Sequence, residues 1–169
     1  MSTQPILTDV TSPAVARLIQ DLVALEGETE HPAGSNRSEF IDRIANEFGS
    51  PLGSPWCALT QGYVRKKNGL WLPTHDVGSC NEWVVQAKRA GKWSGVPVLG
   101  AAVIYTDHVR LTEGPYAGNL HALHMGGVVS LNPLQSIEGN TSAGHFDRNG
   151  GTVLLKTTDT ARVYGYVLP

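Results

Sequence analysis

Both cysteines of the chain sit where a thiol can gain reactivity. In Gly53-Ser54-Pro55-Trp56-Cys57-Ala58, Ser54 is a good helix N-cap and Pro55 suits the first helical position, where its missing N–H costs nothing. The spacing predicts a helix opening at Pro55, with Cys57 in its first turn. A thiol there lies near free backbone N–H groups and the positive end of the helix dipole. Both favour the thiolate, the form that attacks carbonyl carbon. The same N–H groups can donate to an oxyanion. The competing reading is a space-filling residue, since free cysteine is among the most buried residue types. Gly78-Ser79-Cys80-Asn81 repeats the local argument, so a helix start alone does not choose between the two thiols. Two cysteines allow at most one bridge, which excludes a disulfide framework and a four-thiolate zinc site.

A cysteine hydrolase needs a histidine as general base and later general acid, and a polar group to orient it. His31, His75, His108 and His145 lie in loop-like stretches flanked by Gly, Pro or charged residues, where a solvated ring is the ordinary expectation. His121 and His124 border a strand in Leu120-His121-Ala122-Leu123-His124-Met125-Gly126-Gly127-Val128-Val129. The glycines after it leave room for another backbone or a ligand. The next strand runs into Ser136-Ile137-Glu138-Gly139-Asn140-Thr141, so an antiparallel pair can bring Glu138 or Asn140 beside a histidine. A shared metal site at His121 and His124 is disfavoured: the strand period sends positions 121 and 124 to opposite faces, and no third ligand converges. No metal and no cofactor are expected, and His121 reads as a rim residue.

The elements that must hold these residues change character along the chain. Ser12-Pro13 opens a helix with Val15, Leu18, Ile19, Leu22 and Leu25 at helical spacing, stopped at Glu26-Gly27. Asn36 or Ser38 caps a second, with Phe40, Ile41, Ile44 and Phe48 apolar and Gly49 as its stop. The helix from Pro55 closes at Asn68-Gly69, and a fourth runs from Ser79 to Gly91. Short β-rich stretches follow at 101–105, 123–129, 134–137, 152–155 and 161–168, with Pro97-Val98-Leu99-Gly100 as the turn into the first. Helices first and strands later, without alternation, predicts an α+β fold with an antiparallel sheet.

Composition bounds the rest. The chain has 169 residues, 41% hydrophobic and 17% charged, the signature of a globular chain, and this length suits a single domain over 1–169. The 19 glycines and 10 prolines favour a loop-rich fold over a helical bundle. With 13 basic and 15 acidic residues there is no basic stripe, which argues against a nucleic-acid partner. No apolar run approaches the ~20 residues of a membrane span, so no membrane insertion is expected. Met1 to Pro13 shows no secretory leader pattern. No internal repeat or low-complexity tract stands out.

Taken together, three ordered motifs resemble the CHAP family, the cysteine- and histidine-dependent amidohydrolases/peptidases, which are papain-like cell-wall hydrolases. Ser54-Pro55-Trp56-Cys57-Ala58 resembles the nucleophile motif. His124-Met125-Gly126-Gly127-Val128 resembles its His-x-Gly-x-Val strand, and Glu138-Gly139-Asn140 its Glu-x-Asn. Val163-Tyr164-Gly165-Tyr166-Val167 is similar to the closing strand, and residues 34–49 resemble phage-associated members. The likeness spans residues 26–168. It implies a papain-like fold, helices packed on a C-terminal sheet, and an endolysin-like enzyme that cleaves an amide bond of bacterial peptidoglycan through an acyl-enzyme. Cys57 is then the nucleophile and His124 the acid–base. Glu138 or Asn140 orients the ring, with Glu138 preferred and Asn140 as an orienting or oxyanion-side donor. Trp56 lines the cleft against substrate. The expected partner is peptidoglycan, met by a monomer made in a cytoplasm and acting on the wall after release. The calcium loop of some relatives and the wall-binding domain of many are not seen. Two other readings stay open. One is a non-catalytic wall-binding module in which Trp56, Trp71, Trp83 and Trp93 stack on sugars. The other is a papain-like amidase acting on another amide.

Overall fold

A computed structural model describes residues 12–143 and 149–169; residues 1–11, read as lacking a leader pattern, and His145 lie outside the described residues. Four α-helices precede six strands, as the order of patterns predicts: α1 (Pro13–Ala24), α2 (Glu39–Glu47), α3 (Cys57–Lys67), α4 (Cys80–Arg89), then β1 (Trp93–Ser94), β2 (Ala102–Arg110), β3 (Leu120–Leu131), β4 (Leu134–Thr141), β5 (Thr152–Thr157) and β6 (Val163–Val167). The strands form one antiparallel sheet in the order β1-β6-β2-β3-β4-β5. The chain is α+β.

Three helix starts follow their cap residues. Pro13 occupies the first turn of α1 behind an extended Ser12. Ser38, not Asn36, caps α2 by accepting from the Ile41 N–H at 3.1 Å. Ser79 caps α4 through the Glu82 N–H at 3.3 Å. The fourth start corrects the sequence reading. α3 begins at Cys57 rather than Pro55, with Trp56 as its N-cap and no side-chain cap. The reason lies in the Trp56 ring. It is fully buried and its indole N–H donates to Glu30 Oε1 at 3.0 Å, so tertiary packing sets residue 56 and the helix starts one residue later.

Strand boundaries also differ: β2, β3, β4 and β5 run beyond the stretches read at 101–105, 123–129, 134–137 and 152–155. Trp93–Ser94 forms β1 against Val167 and Tyr166, a pairing too short to carry a period-2 pattern. Residues 160–162 form a 3₁₀ turn capped by Asp159 instead of the start of the last strand.

The helices cover the sheet with two apolar clusters. Leu18, Ile19 and Leu22 of α1 and Phe40, Ile41 and Ile44 of α2 meet Val129, Ile137 and Val153. Trp83, Val84 and Ala87 of α4 meet Ala102, Ile104, Met125 and Val167. Ala101, Val103 and Tyr105 alternate with Ala102 and Ile104 along the chain and join a third cluster with Val128 and Tyr166, as strand period requires. Each large side chain so buried contributes roughly 1.5–3 kcal/mol. Arg65 of α3 is fully buried and joins the layers. Its guanidinium donates to the Val167 carbonyl at 2.8 Å, Leu168 at 2.9 Å and Gly100 at 3.2 Å, and stacks over Trp83.

The glycine pair after His124 is where backbone and side chains crowd together. A Cβ on Gly126 would lie 2.6 Å from Glu138 Cγ, and one on Gly127 would lie 2.4 Å from Leu22 Cδ1. The room read from sequence beside the strand histidine is therefore filled by Glu138 on one side and by α1 on the other.

Candidate active site

Cys57 is the first residue of α3, the turn whose backbone N–H groups have no intrahelical partner. β3 runs past this helix end and presents two groups to the sulfur: the His124 side chain and the Met125 backbone N–H. β3 is flanked by β2, with Tyr105 opposite His124, and by β4, with Gly127 opposite Ile137. The β4 neighbour brings Glu138 alongside, and its Oε2 lies 3.0 Å from His124 Nε2. Cys57, His124 and Glu138 thus form a continuous relay drawn from α3, β3 and β4.

The carboxylate is itself held. Tyr105 donates its hydroxyl to Glu138 Oε1 at 2.6 Å, and Ser136 donates to the same oxygen at 2.7 Å. Both bonds fall on Oε1, which leaves Oε2 for the imidazole. The Tyr105 ring also stacks on His124, with centroids 5.8 Å apart and planes at 26°. Neither residue was singled out from sequence. Ser136 carried a usable signal, since it stands two residues before Glu138 on one strand and period 2 puts both on one face. Tyr105 carried none without the β2–β3 register.

The shifts at Cys57 and His124 both run toward a thiolate–imidazolium pair. The Cys80 thiol donates to Cys57 and is the largest influence holding Cys57 well below the ordinary thiol value; burial opposes this, and the His124 ring and the Met125 N–H add to it. Burial pulls His124 down, but Cys57 and Glu138 together outweigh it and hold the ring at about 9. Burial also pushes Glu138 up, and the bonds from His124, Tyr105 and Ser136 reverse the sign and keep it ionised. His124 is fully buried and Glu138 is 3% exposed, so these interactions are poorly screened.

Cys80 is the counterpart that the local sequence could not separate from Cys57. It opens α4, its sulfur lies 3.9 Å from that of Cys57, and its thiol is held well above the ordinary value, first by Cys57 and then by burial. The structure gives the histidine to Cys57.

The remaining candidates separate cleanly. Asn140 sits in a bulge of β4 opposite β5, at φ 56°, a region asparagine tolerates. It is fully buried, and neither its amide N nor its amide O bonds any described residue, so it does not orient His124. Trp56, expected to line the cleft, is instead a core residue with no exposed surface, held by Glu30. Trp83 is equally buried, so neither ring is open for stacking on a sugar. Trp71 and Trp93 are half-buried and pack edge-on against Trp83 and Tyr164. His121 pairs with Asp107 at 3.1 Å on the partly exposed rim, apart from the relay. Among the described residues, no group of three His, Cys, Asp or Glu side chains converges to hold a metal. No helix among them is long and apolar enough to cross a membrane.

A cavity of about 440 Å³ opens between the end of α1 and the start of α2, lined by Glu26, Glu28, His31 and Glu39 among others. It is lined by no member of the relay. Comparison of the chain with family models, curated proteins and solved structures gives no match.

Proposed function

We propose that this chain is a cysteine amidase or peptidase with a papain-like, CHAP-type catalytic domain, and that it cleaves an amide bond of bacterial peptidoglycan. The observation that carries the chemistry is the Cys57–His124–Glu138 relay, with the imidazole between a helix-N-terminal sulfur and a buried carboxylate 3.0 Å from Nε2. Support for the wall as substrate is the ordered likeness of the motifs at Cys57, His124 and Glu138-Gly139-Asn140 to that family.

In this reading the Cys57 thiolate attacks the amide carbon, and the carbonyl oxygen takes the negative charge against N–H groups of the first turn of α3. His124, already protonated, gives its proton to the departing amine. The neutral ring then takes a proton from water as that water attacks the thioester, and keeps it as the acid departs and Cys57 leaves as the thiolate, which restores the starting ion pair. Glu138 holds the ring and stabilises its charged form. Asn140, whose amide has no partner among the described residues, is a buried polar group two residues beyond Glu138 on β4.

The test is digestion of purified peptidoglycan with mass spectrometry of the soluble fragments. New free amino and carboxyl ends from the wild-type chain, absent with Cys57→Ala, support the proposal and identify the bond. An intact wall, with cleavage of a model amide by the same relay, moves the substrate to another amide. Wall binding without cleavage of either supports the binding-module reading.

A further inference from the structure

The relay uses one cysteine, yet a second buried thiol is in van der Waals contact with it. Cys57 and Cys80 are the first residues of α3 and α4, both are free, and their sulfurs lie 3.9 Å apart. A disulfide needs about 2.05 Å, so the sulfurs must close by roughly 2 Å. We propose that Cys57 and Cys80 form a reversible disulfide by exchange with a small-molecule disulfide, and that this bridge switches the Cys57 nucleophile off. The inference takes Cys57 as the reactive thiol of the proposed enzyme but does not depend on the wall being its substrate.

The exchange balances in two steps. The Cys57 thiolate attacks one sulfur of a disulfide such as oxidised glutathione; a Cys57–glutathione bond forms and one glutathione thiolate leaves. Cys80 then loses its proton to solvent and attacks the Cys57 sulfur, forming the Cys57–Cys80 bond and releasing the second glutathione. The two cysteines are oxidised by two electrons and the glutathione disulfide is reduced to two thiols.

The local chemistry assigns the order of attack. Cys57 has the His124 side chain and the Met125 backbone N–H beside its sulfur, so it is the thiolate that reacts first. Cys80 keeps its proton mainly because it donates to the Cys57 sulfur. Once Cys57 is capped by glutathione, that negative acceptor is gone and Cys80 is released to resolve the adduct. Both residues are largely buried, Cys57 at 4% and Cys80 at 7% exposed, which suits a small disulfide as the oxidant. The bridged sulfur has no thiolate left to attack a carbonyl.

The full chain is equilibrated with oxidised and reduced glutathione at fixed ratios, acid-quenched, alkylated and mapped by mass spectrometry without reduction. The expected result is a Cys57–Cys80 linked peptide pair two hydrogens lighter than the dithiol. Hydrolysis is lost in proportion to the bridged fraction and recovered with dithiothreitol. Cys80→Ser should hold glutathione on Cys57 as a stable adduct. Glutathione retained on wild-type Cys57 beside an alkylated Cys80 would overturn the proposal. So would two free thiols under conditions where iodoacetamide still labels Cys57. Because the bridge is read by mass, a chain that bridges but cleaves no amide in its reduced form refutes the hydrolase reading and leaves the switch standing.

Discussion

The starts of α3 and α4 are two versions of one local motif. Each places a cysteine at the first helical residue, yet only the α3 cysteine meets a histidine. At α4, Ser79 occupies the Glu82 N–H and the thiol points to another sulfur. The helix end therefore supplies a favourable field at both sites, worth some tenths of a kcal/mol to ~2 kcal/mol. The separation of a lowered thiol from a raised one comes first from the bond between the two thiols, which lowers Cys57 and raises Cys80, and then from what the sheet brings. β3 carries His124 and Met125 to Cys57, and β4 carries the carboxylate that keeps His124 charged. The lowered thiol here is made by tertiary neighbours acting on a site that secondary structure only prepares.

The largest effect expected is the collapse of that contrast. Cys57→Ser and His124→Ala should each lower hydrolysis by on the order of 10³-fold or more, and the double variant by little beyond either, because the two act as one unit. Turnover on a wall or model-amide substrate measures this. Additive losses would mean that Cys57 and His124 work separately.

Glu138→Gln comes next, with about 10- to 100-fold loss expected from the cost of a misheld ring. Its distinguishing mark is the pH profile. The active form is thiolate with imidazolium, so activity is present through neutral pH and falls as pH rises through the His124 value, about 9. Removing the carboxylate removes a group that raises His124, so the alkaline limb should move to lower pH. Asn140→Ala should lower turnover without moving that limb, since Asn140 bonds neither His124 nor Glu138. The same sign holds for stability. The part owed to the raised histidine is full below its ordinary value of 6.5 and is lost as pH rises through about 9.

Tyr105→Phe should cost less, about 3- to 10-fold, because Ser136 still donates to Glu138 Oε1. Restoring the same rate at lower pH would mark Tyr105 as a residue that positions the carboxylate. A uniform loss at every pH, matched by a lower melting temperature, would mark simple packing. The smallest effect belongs to Cys80→Ser. The serine hydroxyl can still donate to Cys57, so hydrolysis under reducing conditions should stay within about tenfold, with the acid limb shifted upward. A loss as large as that of Cys57→Ser would erase the distinction between the two helix starts.

Much of this arrangement was legible in the residues. Cap residues placed α1, α2 and α4, and the change from helical spacing to short β-rich runs predicted the α+β order. Cys57 was flagged by its helix start, and His124 with Glu138 by adjacent strands. What stayed hidden depends on packing. α3 begins at Cys57 because Trp56 is drawn into the core by Glu30, an interaction across 26 positions that no local cap signal encodes. Tyr105 reaches Glu138 only through the β2–β3 register. The Cys57–Cys80 contact depends on how two helices converge on one sheet. The choice between Glu138 and Asn140 turns on the bulge at the end of β4, where residue 140 takes a positive φ and Glu138 alone reaches the ring.

The central claim is that resting Cys57 is a thiolate paired with an imidazolium, while Cys80 is a thiol. The most direct measurement is the pH dependence of iodoacetamide labelling at each cysteine, read by peptide mass spectrometry in reduced wild-type protein and in His124→Ala. The account predicts that wild-type Cys57 labels well below pH 8 and Cys80 only at strongly alkaline pH. It also predicts that Cys57 labelling moves upward toward the ordinary thiol range when His124 is removed. Equal labelling of both cysteines near the ordinary thiol value of 9.0, with no change in His124→Ala, would contradict it.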